Sequence, residues 1–312
     1  MNKIIITGAI AALFFSSTFV LNRAMSLEGG HWIWTASLRY IWMLFLLVIW
    51  MLMGGKAKLL QQTFVLFRKH WVFWVTAGSI GFGLFYALIT YSVTFAPGWI
   101  VATTWQCTIL ATPVVLLCFG RKISLRALAL TLVVFAGVIL VNAEHAATTR
   151  LSTVLKGALP VLLAAFAYPL GNQMVWEARQ KGGKFIPAIQ NPVMADGFAR
   201  VLLLTLGSLP LWGILILFLA PPPPSSGQIT MTGLVALLSG VIATTLFLNA
   251  RNTARNASEL AAADCTQAME VLFALAGEFV FLDGSLPGPW GALGIAMTII
   301  GLMLYIRVQN IR

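Results

Sequence analysis

Apolar residues in this chain do not alternate with polar ones. They come in long runs, each near the roughly 20 residues that carry an α-helix across a bilayer core. The runs are Ile4–Asn22, Trp32–Met53, Trp71–Phe95, Gly98–Phe119 and Leu125–Val141, then Leu155–Val175, Val193–Leu219, Met231–Leu248, Ala261–Phe281 and Pro289–Tyr305. Ten spanning helices are predicted, joined by short loops. The first run follows Lys3 as in a signal peptide, yet no small-x-small cleavage site comes after it. Leu59–Lys69 mixes apolar and basic residues, which fits either an interfacial helix or a plain loop.

Composition fixes the solvent. The 312 residues are 59% apolar and 9% charged, whereas soluble domains are about a quarter charged. A wetted surface cannot hide that much hydrocarbon, so the bilayer is the medium. Ten helices use about 200 residues and leave no stretch for a separate soluble domain. Cys107, Cys118 and Cys265 lie in apolar runs without metal or disulfide spacing, and His31, His70 and His145 sit in loops or at helix ends. No metal or cofactor is expected, and no Gly-x-x-x-x-Gly-Lys-Ser/Thr loop is present to bind a nucleotide.

The net charge of +11 would suggest nucleic acid in a soluble protein. Here its placement gives topology instead, and no nucleic-acid partner is expected. Lys3, Lys56, Lys58, Arg68, Lys69, Arg121, Lys122, Arg126, Arg179, Lys181, Lys184, Arg251, Arg255, Arg307 and Arg312 all fall on one side of a ten-helix arrangement. Only Arg23, Arg150 and Lys156 fall on the other, where Pro221–Pro224 forms an uncharged connector. Basic residues mark the cytoplasmic side, so both termini are expected inside.

A weak internal repeat runs through these helices. Phe19-Val-Leu-Asn22-Arg matches Pro169-Leu-Gly-Asn172-Gln, and Ser37-Leu-Arg39 matches Phe198-Ala-Arg200. Tyr86-Ala-Leu matches Asn249-Ala-Arg, and Phe119-Gly-Arg-Lys-Ile-Ser124 matches Phe281-Leu-Asp-Gly-Ser285. Offsets of 150 to 163 residues divide the chain into 1–148 and 149–312. Five helices is an odd number, so the halves would enter the membrane in opposite senses. Inverted repeats of this kind build alternating-access carriers with a site near the midplane. The expected fold is thus an all-α integral membrane protein of ten helices in two inverted five-helix repeats.

With Phe19-x-x-Asn22, Leu38-Arg39, Thr112-Pro113, Gly120-Arg-Lys-Ile-Ser124 and Gly137-Val-Ile-Leu, the sequence resembles the drug/metabolite transporter superfamily in its ten-helix form. The second-half counterparts are Ala261-Ala-Ala-Asp264, Gly284-Ser285, Gly291-Ala-Leu-Gly294 and Gly301-Leu-Met-Leu304. It looks most like the branch of multidrug resistance efflux transporters. The resemblance implies export of a small organic molecule, proton coupling, a bacterial inner membrane and a monomer or homodimer. One departure matters. The small four-helix exporters of the superfamily use a first-helix glutamate, and Ile4–Asn22 contains no acid.

Charged groups inside a membrane are costly and mark pathways or pairs. Asp264, Gln267, Glu270 and Glu278 share about a third of the ninth helix's circumference at 100° per residue. Depth places Glu270 nearest mid-membrane, as a coupling carboxylate or as a structural acid satisfied by its neighbours. Glu278 falls toward the outer interface. Arg39 and Arg200 each lie about two turns inside a surface. They either snorkel, with Asp196 placed to pair with Arg200, or form gates for anionic or zwitterionic substrates. Asn22, Trp105, Gln106, Tyr168, Asn172 and Gln173, with Gln267 and Glu270, are the expected cavity lining, suited to a planar or amphipathic molecule. An amino-acid or other metabolite exchanger is the competing transport reading. A membrane-embedded enzyme would need clustered His, Asp or Ser residues at one membrane face, and the chain has none.

Overall fold

A computed structural model describes residues 2–120, 125–180, 182–183, 185–255 and 257–310. Arg121, Lys122, Ile123 and Ser124 of the first closing motif lie outside the described residues, as do Lys181, Lys184 and Arg312 of the charge pattern.

The chain is all-α. Each apolar run becomes a helix, because a backbone in lipid must satisfy its own N–H and C=O groups. In order these are α1 (Asn2–Leu27), α2 (Trp32–Met53), α3 (Ala57–Lys69), α4 (Trp71–Ser92), α5 (Gly98–Cys118) and α6 (Leu125–Thr148). There follow α7 (Leu151–Gln180), α8 (Gly197–Leu219), α9 (226–253), α10 (257–281) and α11 (Pro289–Asn310). Nine of them, all except α3 and α10, are long and apolar enough among the described residues to cross a membrane. The sequence predicts ten. The one predicted span outside the nine is α10, which carries Asp264, Glu270 and Glu278 and is interrupted by a 3-10 turn at Thr266–Ala268. Leu59–Lys69, open between helix and loop in the sequence, lies in α3. Its Leu60, Thr63 and Leu66 recur every third residue and bury one face, while Arg68 and Lys69 suit the negative end of the helix dipole.

Several long helices are irregular within. α4 widens into a π segment at Ser79–Leu84, and α9 does so at Ala236–Ala243. α5 breaks after Trp105 and restarts at Thr108, at a comparable place to the 3-10 turn of α10. In α7, Pro169 has no N–H to give the carbonyl four residues back. That carbonyl, Ala165 O, instead accepts the Thr108 hydroxyl of α5 at 3.3 Å.

Packing is interleaved along the chain. α1 lies on α9 and α10, while α7 lies on α4 and α5. α2 packs on α8 and α9, α8 also on α4, and α6 pairs with α11. Small residues permit the closest approaches. A Cβ on Gly207 of α8 would collide with the Trp74 carbonyl of α4, and one on Gly137 of α6 would sit 2.5 Å from the Gly294 carbonyl of α11.

Candidate functional site

Inside this packing lies a cavity of about 480 Å³. Its walls come from α1, α2, α4, α5, α7, α8, α9 and α10; among the described residues α6 and α11 contribute none. The irregular segments meet here. Ser239 and Gly240 come from the π segment of α9, Trp105, Gln106 and Thr108 flank the break in α5, and Gln267 sits in the 3-10 turn of α10.

One wall is aromatic. Phe85 and Trp105 have ring centroids 4.8 Å apart, Phe85 and Tyr168 5.0 Å, and Trp105 meets Tyr168 edge-on at 5.6 Å. Beside them Tyr40 stacks on Trp212 at 5.5 Å and meets Tyr86 edge-on at 5.7 Å. Such pairs add to the area they bury and hold the rings in fixed orientations.

Two charged side chains line this hollow without a partner of opposite charge among the described residues. Arg39 does not snorkel to a surface. It lines the cavity, with Nη2 donating to Ser239 Oγ at 2.8 Å and its guanidinium carbon 4.1 Å from the centroid of the Tyr86 ring. Its Nε is buried and meets no acceptor among the described residues. Glu270 is 8% exposed and makes no hydrogen bond or ion pair with a described residue. Arg251 also reaches the cavity, but it pairs with Asp264.

The other expected site residues divide by place. Trp105, Gln106, Tyr168 and Gln267 line the cavity. Asn22 stands one layer behind, its amide within 3.0 Å of the Tyr86 hydroxyl, so it fixes the ring under Arg39. Asn172 donates back to the Tyr168 carbonyl at 2.9 Å, and Gln173 to the Glu177 carboxylate at 2.9 Å; neither lines the hollow. Arg200 donates to the Met194 carbonyl at 2.6 Å. Asp196, placed by spacing for Arg200, instead accepts from Lys56 at 2.7 Å and caps α8 through the Ala199 N–H. Glu278 accepts the Trp99 N–H at 3.0 Å, at the start of α5, and lies 3.8 Å from Arg23.

Sequence reasoning missed Tyr40, Phe82, Phe85 and Ser239. A signal was there: three of the chain's five tyrosines, Tyr40, Tyr86 and Tyr168, stand mid-run, away from the interfaces that favour tyrosine. All three lie in or against the cavity wall. It also missed Glu144, which accepts the Gly288 and Gly291 N–H groups at 2.8 Å and so caps α11.

Comparison with known proteins adds kinship to this geometry. A family model described as "EmrE: Putative multidrug resistance efflux transporter" matches residues 2–311. The chain is 39% identical to the Bacillus subtilis (strain 168) protein "Uncharacterized protein YjlA", over 97% of this chain and 94% of that one. It is 36% identical to a Shouchella clausii protein, "Uncharacterized 42.1 kDa protein in intracellular alkaline protease 3'region", over 81% of this chain and 66% of that one. A solved structure described as "Crystal structure of protein" superposes with a TM-score of 0.61, covering 100% of this chain and 99% of its own, and at 15% identity this speaks for the fold alone. The match across nearly the whole length, on a multi-pass helical fold, makes this chain a member of the EmrE family of multidrug resistance efflux transporters, within the drug/metabolite transporter superfamily.

Proposed function

We propose that this protein is a secondary transporter, not an enzyme, that exports small organic molecules by alternating access and uses Glu270 to couple proton binding to substrate exchange. The observation that carries the reading is Glu270 itself, a buried carboxylate without a partner among the described residues, facing an aromatic cavity lined by both halves of the chain. Burial disfavours a charged carboxylate. A proton, or a cationic group of the substrate, relieves that cost, and competition between the two couples their movements.

In this reading α10 is the tenth span, and 1–148 and 149–312 are inverted five-helix repeats with both termini in the cytoplasm of a bacterial inner membrane. The irregularities support it. The third span of each half carries a π segment and the fourth is broken near its middle, at offsets close to those of the sequence repeat. The packing supports it too, since α1 on α9 and α10 mirrors α7 on α4 and α5. Along α9 the cavity lining runs from Ser239 to Arg251, about 18 Å toward the basic, cytoplasmic side. The opposite side is tied by Glu278, Trp99 and Arg23, and by Gln228 donating to Thr35 and the His31 carbonyl. We therefore assign an inward-facing state, with Glu278 in the outer latch.

The test is transport in proteoliposomes under an imposed pH gradient, with a panel of lipophilic cations, aromatic carboxylates and zwitterions. Gradient-driven accumulation of any class, abolished by Glu270→Gln in folded protein, is the expected result. Accumulation that survives the substitution would remove Glu270 from coupling, and a folded protein that moves nothing on the panel counts against the exporter.

A further inference from the structure

We infer that Arg39 is the anchor for an anionic group on the transported molecule, so that the substrates are small aromatic compounds bearing a carboxylate, zwitterions included. The inference rests on the cavity being the transport site, as proposed above, and deepens that reading by naming a substrate class.

An arginine in the middle of a membrane helix is expensive and is ordinarily offset by an acid. The other acids near the bundle are engaged. Asp196 holds Lys56, Asp264 holds Arg251, Glu278 faces Arg23 and the Trp99 N–H, and Glu144 accepts two backbone N–H groups. Among the described residues only Glu270 shares the cavity, and it forms no ion pair with Arg39. Arg39 is nonetheless held in place. Ser239 takes one end of the guanidinium at 2.8 Å, Tyr86 lies 4.1 Å beneath it, and Asn22 fixes Tyr86. What remains are the other N–H groups of a guanidinium that lines the hollow.

Carboxylates are the group a guanidinium binds best, through two parallel charge-assisted hydrogen bonds. The repeat itself does not demand a free arginine. At the matching position Arg200 is occupied by the Met194 carbonyl and stays out of the cavity. In the same cavity, the slot formed by Phe85, Trp105 and Tyr168 offers ring faces and edges to an aromatic body. Glu270 lines the same cavity and is the acid there for an ammonium on the same molecule to meet. A substrate with positive charge alone would have to lie near an unpaired guanidinium.

Three probes of one shape decide the matter in detergent-purified full-length protein: 3-phenylpropionate with a carboxylate, phenethylamine with an ammonium, and phenylalanine with both. Binding is read calorimetrically at equal pH. The two carboxylates should bind about tenfold or more tightly than the amine, since a charge-assisted hydrogen bond is at stake. Arg39→Gln should remove that preference by weakening the carboxylates and leaving the amine unchanged, and Arg39→Lys should restore part of it. A merely structural arginine would shift thermal unfolding without changing the order of the ligands. The inference is overturned if the amine binds as well as the acids, or if folded native protein binds neither carboxylate at millimolar concentration. The ligand order in native protein decides even if Arg39→Gln fails to fold. Because no gradient is used, loss of proton coupling would leave this result standing. Conversely, a protein that concentrates only cations under a gradient would sink the anion site and keep the exporter.

Discussion

Glu270 and Glu278 stand on one helix, about 12 Å apart along its axis, and both are buried, at 8% and 4% exposure. Around Glu278 the molecule closes. The carboxylate takes the Trp99 N–H at the start of α5 and faces Arg23, whose own Nη1 donates to the Val93 carbonyl. Around Glu270 the same helix borders a hollow and gives the carboxylate no described partner. Burial is therefore a poor guide to the role of an acid in this bundle. What separates a joint from a working group is whether the fold has already satisfied it. Arg200, tied to Met194, and Arg39, whose Nε has no acceptor among the described residues, divide the same way in opposite charge.

The comparison breaks most visibly at Glu270. Glu270→Gln should bring gradient-driven transport down to the level of empty liposomes while thermal unfolding in detergent stays unchanged or rises, since the change removes a buried charge that nothing described offsets. If the variant loses stability along with transport, Glu270 is a structural acid after all.

Glu278→Ala should do the reverse. It removes an acceptor from a buried N–H and a counter-charge from Arg23, which costs about 2 kcal/mol of stability, measurable as a lower unfolding temperature in detergent. Glu278→Gln keeps an acceptor for Trp99 and should cost less. Equal losses in the two variants would mean that the charge toward Arg23, and not the cap on α5, is what Glu278 supplies.

How much of this was legible in the sequence follows from what each feature depends on. Helix positions depend on hydropathy alone, so every apolar run was found. The site depends on contacts between runs, and there single-helix reasoning thinned out. A helical wheel groups Gln267, Glu270 and Glu278 on one face, but the 3-10 turn at Thr266–Ala268 alters the register, and the wheel is silent on what each acid meets. Asn172 and Gln173 looked like lining because they are polar and deep, yet each satisfies itself one turn away along its own helix. Asn22 was found through its match to Asn172 and the Phe19-x-x-Asn22 motif, while its partner Tyr86 lies 64 residues on. Trp105 was legible because an aromatic residue far from either interface lacks the usual reason to be there.

The smallest effect belongs to the exposed counterpart of these buried groups, the Lys56–Asp196 pair at 2.7 Å, at the end of α8 outside the membrane spans. Burial raises the Asp196 pKa, but the Lys56 ammonium and the Ala199 N–H outweigh it and hold the carboxyl below its ordinary value. A depressed carboxylate contributes stability that is full above its unfolded value of about 3.9 and fades as pH falls through the folded one. Unfolding curves of native protein and Lys56→Ala should therefore differ by no more than about 1 kcal/mol at neutral pH and converge in acid. The size of that gap tests the comparison itself. Lys56 and Asp196 are as well partnered as Glu278, differing chiefly in access to water. A loss from Lys56→Ala as large as that from Glu278→Ala would mean that partnering alone sets the worth of a charge here, and that burial adds nothing to it.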